Sequence, residues 1–157
     1  MHLAVQQLAT LKALIGDCSE ENVISAEGLE QGVRKLLNHL PDTTVDVPKA
    51  PAQIGEVLGS LVSAKVADLK TIAHHIIEAD VEDPLEGDPP ELVAGGGGAQ
   101  VIAALLLSLS QAAGDEEAKS AWGAAGVGLD QFMPETERSD ERLSAFMDKY
   151  GITELVA

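Results

Sequence analysis

Basic residues are scarce in this chain: ten Lys and Arg stand against 26 Asp and Glu in 157 residues, a formal net charge of −16. Gripping a phosphate backbone needs a basic footprint that releases counterions, so strong direct nucleic-acid binding by this chain is excluded. Cysteine occurs once, at Cys18, which excludes an internal disulfide and points to a reducing, cytoplasmic setting. The longest apolar run, Val101 to Leu109, falls well short of the ~20 residues that span a bilayer, so no membrane partner is expected. No basic region followed by an apolar one opens the chain, so no secretory signal is expected either. Aromatics make up 3% of the residues, and Trp122, Phe132, Phe146 and Tyr150 all fall in the last third, which suits anchors for terminal helices. Against these shortages, 45% of residues are hydrophobic and they recur periodically, which excludes a disordered chain.

The periodicity is helical throughout. Leu3, Val5, Leu8, Leu11, Leu14 and Ile15 predict a first amphipathic helix, ended by Gly16 and Asp17. Ser25 reads as the N-cap of a second, with Leu29, Val33, Leu36, Leu37 and Leu40 on one face and Pro41 closing it. Asp46 before Val47 and Pro48 reads as the cap and first-turn proline of a third, whose core face is Ile54, Val57, Leu58, Leu61 and Val62. Gly55 and Gly59 on that helix predict close packing. Asp68 opens a fourth, with Leu69, Ile72, Ile76 and Ile77 inward.

From Asp80 to Gly98 the pattern stops. Acids without basic partners, Pro84, Pro89, Pro90 and the run Gly95 to Gly98 read as an acidic linker. Ala99 to Ala113 is apolar nearly all round and predicts a buried, central helix. Asp115, Glu116 and Glu117 suit the positive end of another, which stops near Ala125 before Gly126 and Gly128. A brief helical turn follows around Leu129 to Met133. Ser139 then opens a last helix with Leu143, Phe146, Met147 and Tyr150 on one side and Gly151 as its C-cap. No segment alternates with period two, so the fold class is all-α: stacked antiparallel helical hairpins of the HEAT-like kind, about six or seven helices. Residues 1–79 form two hairpins, 80–98 the linker, and 99–157 the remaining helices of the same domain.

Little in the chain suggests catalysis. His74 and Glu78 stand one helical turn apart beside His75, the start of a zinc site and of a metal-dependent hydrolase, but neither HExxH nor a Cys/His cluster supplies further ligands. The remaining histidines, His2 and His39, are isolated. Gly95 to Gly98 lack the preceding strand and following Lys-Ser/Thr of a P-loop and read as a hinge. Gly123, Gly126 and Gly128 lack a βαβ context, and Cys18 lacks basic neighbours to activate its thiol. The expectation is a protein that is not an enzyme, with no cofactor and no metal. Asp42 and Asp46 are the charges of most interest, because they bracket the predicted connection from Pro41 to Pro48, where turn and cap roles account for them locally.

Leu36 through Leu61, with its Leu-Pro-Asp-Thr-Thr-Val-Asp-Val-Pro core and the Lys49-Ala50-Pro51 that follows, resembles the second half of an MA3 domain, the helical-repeat module of eukaryotic translation initiation factor 4G. The likeness continues through Leu69-Lys70-Thr71-Ile72, the linker, and Ala121-Trp122-Gly123-Ala124-Ala125-Gly126-Val127 to Phe132-Met133-Pro134; Pro48 to Pro51 is closest to plant forms, and the Ala/Gly-rich composition suits a green alga. The resemblance implies a noncatalytic scaffold fragment that binds initiation factor 4A, a DEAD-box RNA helicase, and supports mRNA recruitment. It carries the helicase contacts onto Asp42, Asp46, Val47, Pro48 and Lys49. It also implies an alternative, an inhibitor that sequesters the same helicase as the programmed-cell-death protein of this family does. The chain begins near the second helix pair of the module, as a fragment or a shortened domain would.

Overall fold

The computed structural model describes residues 26–78 and 92–156, with Ala26 and Asp42 described for their backbone only. The predicted helix from Leu3 to Ile15, Cys18, His2 and residues 80–91 of the linker lie outside the described residues. Regular structure among the described residues is entirely helical. The order is α1 (Ala26–Asp46), α2 (Ala50–Ser63), α3 (Leu69–Glu78), α4 (Gly97–Ala113), α5 (Asp115–Ala125), 3-10 turns at Leu129–Phe132 and Glu135–Glu137, α6 (Asp140–Tyr150) and α7 (Thr153–Val156). The all-α helical-repeat expectation holds. No described helix is long and apolar enough to cross a membrane.

The core is built around α4, whose Val101, Ile102, Ala103, Leu105, Leu106 and Leu109 are all essentially inaccessible. A helix apolar on every side needs neighbours on several sides, and α4 has α2, α3, α5 and the first 3-10 turn against it. Its closest neighbour is α2. A Cβ on Gly55 would overlap the Val101 carbonyl and stand 2.7 Å from Ala104 Cβ, so only the bare backbone lets the two helices approach as they do. Leu37 and Leu40 of α1 and Leu69, Ile72 and Ile76 of α3 complete the same apolar cluster. Full burial of each such side chain stabilises by roughly 1.5–3 kcal/mol. At the far end Trp122 and Phe132 meet with ring centroids 6.0 Å apart, both buried, as anchors should be. Phe146 and Tyr150 are half-buried and stack on each other at 4.5 Å.

The structure corrects the expected boundaries in three places. First, α1 does not close at Pro41 but runs one further turn to Asp46. Pro41 removes the donor that Leu37 O would have used, but Leu37 and Leu40 are locked in the core on one side. On the other, Thr43 Oγ1 donates to His39 O at 3.1 Å and Thr44 Oγ1 to Leu40 O at 2.7 Å. Such back-bonding bends helices without ending them, and Val47 N still bonds to Thr43 O at 2.8 Å. Second, Asp46 is therefore not the cap of α2. Lys49 holds that position without a side-chain cap, and Pro51, not Pro48, is the first-turn proline.

Third, the glycine run is not a hinge. Gly96 takes a left-handed φ of 86° that ends the turn, and α4 already begins at Gly97. A Cβ on Gly98 would stand 3.1 Å from Ile76 Cγ2 and 3.2 Å from Val93 Cγ2, so this glycine is a packing residue. Leu92 and Val93, read as linker, are buried in the core. The short α7 was not expected; its Ile152 and Leu155 are buried too. Predicted caps at Ser139, which accepts from Arg142 N, and at Gly151, with φ of 67°, are present as read.

Candidate partner-docking site

The five residues singled out by resemblance lie together where α1 ends and α2 begins, but the geometry differs from the bracketed loop the sequence suggested. Asp42 and Asp46 are both helical positions one turn apart, so they share a face of α1. The connection proper shrinks to Val47, Pro48 and Lys49. Asp46, Pro48 and Lys49 are exposed, whereas Val47 is half-buried and packs against the core, pinning the turn from beneath.

Sequence reasoning passed over one residue here. Val45 is 72% exposed and, with Leu36 at 42%, is one of two large hydrophobic side chains so exposed among the described residues. Its signal was available once the helix continues past Pro41: five residues beyond the buried Leu40, it points ~140° away around the helix. Val45 thus stands exposed beside Asp46 and one residue short of the connection to α2.

The electrostatics of the same turn run against helix stability. The C-terminal end of a helix carries partial negative charge, which cations favour and carboxylates oppose, by ~0.3–1 kcal/mol per charge at the surface. The last turn of α1 has no basic residue and ends in Asp46, with Asp42 one turn earlier. As an N-cap Asp46 would have been explained by local structure alone. As the last residue of α1 it is not, and no side-chain cap of α2 uses it.

The alternative constellation does not converge. His74 is exposed and its Nδ1 lies 2.7 Å from Lys70 O on its own helix, while His75 turns toward α1 and sets its Nε2 3.2 Å from Glu30 Oε1. Among the described residues no group of three or more His, Cys, Asp or Glu could hold a metal ion. The opening residues of α5, Asp115, Glu116 and Glu117, are a solvated face at the helix's positive end, where they belong.

Comparison with known families finds an MA3 domain at residues 2–68, a little under half of the chain. The match contains the whole of α1 and α2 and the patch between them, and it stops before α3; the likeness read further on, at Ala121 to Pro134, lies beyond it. No curated protein and no solved structure matches the chain.

Proposed function

We propose, from the MA3 domain at residues 2–68, that this chain is a noncatalytic helical scaffold of the initiation factor 4G kind, which docks the DEAD-box helicase initiation factor 4A in the cytoplasm and so supports mRNA recruitment. Asp42, Asp46, Val47, Pro48 and Lys49 are the contact residues, with Val45 added as the apolar centre. The observation that carries the reading is the acid-bearing C-terminal turn of α1: a helix designed only for stability would place cations there, and carboxylates there are explained by a partner with complementary positive charge. The overall charge of −16 speeds encounter with such a partner and keeps the chain itself off RNA, which fits a protein that acts beside nucleic acid through a helicase.

The test is binding to purified initiation factor 4A by isothermal titration calorimetry. Asp46→Lys reverses a contact charge and is expected to weaken binding tenfold or more while the fold, followed by circular dichroism, persists. Undiminished affinity in the folded variant overturns the reading.

A further inference from the structure

A second surface feature lies at the opposite end of α1, about 24 Å along the helix from Asp46 at 1.5 Å per residue. A groove of 180 Å³ opens where the first turns of α1 face α3 and the turn before it. Its floor is apolar: Val33 and Ile72 are buried and Leu29 and Val66 half-buried. Cavities of roughly 150 Å³ with aliphatic walls accept a benzene-sized group, so this one has room for a single large apolar side chain.

Among the described residues its carboxylates are Glu30 and Asp68, with Thr71 and His75 the other polar groups. Asp68 lines it just before α3, and Glu30 lines it beside His75, seven positions further along and about 10 Å away at 1.5 Å per residue. Among the described residues no lysine or arginine lines the groove. Glu30 is half-exposed and holds His75 Nε2, while the other ring nitrogen, Nδ1, is buried and has no hydrogen-bond partner among the described residues.

We infer that this groove is a docking site for a peptide segment of a partner protein, one that inserts a large apolar residue and carries a lysine or arginine on each side of it. In an extended segment successive side chains alternate faces, so the basic residues stand two positions on either side of the apolar one, about 14 Å apart, and their long stems reach in to Glu30 and Asp68. The site is separate from the acidic turn of α1, and it stands or falls without the helicase reading.

The experiment is fluorescence polarisation of a labelled peptide with lysine two positions before and two positions after a central phenylalanine, added to the full chain, alongside a peptide with glutamate in place of each lysine. Saturable binding of the first peptide alone is expected, with the His75 imidazole resonances shifting in NMR spectra. Glu30→Lys, at an exposed position, is expected to weaken binding at least tenfold, and Ala67→Leu, which fills the groove without changing charge, to do the same. Glu30→Gln serves if the lysine variant fails to fold, with a smaller loss. Asp46→Lys is expected to leave peptide binding unchanged. Equal binding of both peptides, or loss on Asp46→Lys instead of Glu30→Lys, overturns the proposal. So does an absence of saturable binding, the result given by a groove already filled by residues 1–25 or by a second copy of the chain.

Discussion

The Ser108 hydroxyl, buried within α4, donates to the main-chain carbonyl of Glu56 in α2 at 2.9 Å. That bond is possible only because Gly59, the next small residue along α2, lets the helices close: a Cβ there would stand 2.5 Å from Leu105 O and 2.7 Å from Ser108 Cβ. Two effects oppose each other in Gly59→Ala. Alanine gains roughly 1 kcal/mol of helix propensity, but overlap with a main-chain carbonyl forces the helices apart, and overpacking typically costs about 1–3 kcal/mol. The overlap is with backbone, which cannot swing aside, so net destabilisation of about 1–2 kcal/mol is expected in urea unfolding. Gly32→Ala is the control. Nothing lies within 4 Å of a Cβ at that exposed position in α1, so the propensity gain stands alone and stability rises by about 0.5–1 kcal/mol.

Pro41 offers a second test, since helix boundary and stability are tied together there. If α1 ended at Pro41, replacing it would be nearly neutral or slightly unfavourable, because proline restricts the unfolded chain. Within α1, Pro41→Ala restores a donor to Leu37 O and removes a ring clash, effects that together reach ~3 kcal/mol in unstrained helices. The threonine back-bonds and the half-buried ring offset part of this. A gain of about 1 kcal/mol in unfolding free energy is expected, with helicase affinity unchanged.

Pro41 also shows where the sequence stops being readable. Periodicity reports which faces are buried, and it located α2 through α6 and the centrality of α4 because those helices have long uninterrupted stripes. It cannot report whether packing outweighs a local breaker. At Pro41 two leucines buried one turn earlier carry the helix onward, and at Gly97 and Gly98 close approach to Leu92 and Ile76 turns apparent breakers into helix residues. The candidate site follows the same logic. The motif brings its five expected residues to one turn, but Val45 and the true position of Asp46 depended on that helix boundary. The groove beside His75 was not legible, because Glu30 and His75 lie 45 residues apart and only the packing of α1 against α3 joins them.

The charge at the end of α1 separates stability from function in one substitution. Asp46→Asn removes a carboxylate from the negative end of a helix with no basic residue in its last turn. Stability is expected to rise by ~0.3–1 kcal/mol at low ionic strength, and the gain to shrink as salt screens it. Affinity for initiation factor 4A is expected to fall several-fold in the same variant. A purely structural Asp46 would move both quantities the same way, so thermal unfolding and calorimetry on one sample decide between the roles.

Lys65 carries the one positive φ, 60°, found outside glycine among the described residues. It follows the C-cap Ala64, and its amide bonds to Val62 O while Val66 N bonds to Leu61 O, each at 3.0 Å. These are the two bonds of a Schellman motif, in which glycine usually holds the left-handed position because a Cβ there costs roughly 1–2 kcal/mol. Lys65→Gly relieves that cost but enlarges the conformational freedom of the unfolded chain, worth about 0.4–1 kcal/mol in the opposite direction. The steric relief is the larger, so a net gain of about 0.5–1 kcal/mol is expected in chemical denaturation. Lys65→Val, β-branched at the same φ, is expected to lose about 1 kcal/mol or more. Because this turn also sets Val66, Ala67 and Asp68 along the groove, Lys65→Gly is expected to leave peptide binding intact and Lys65→Val to weaken it.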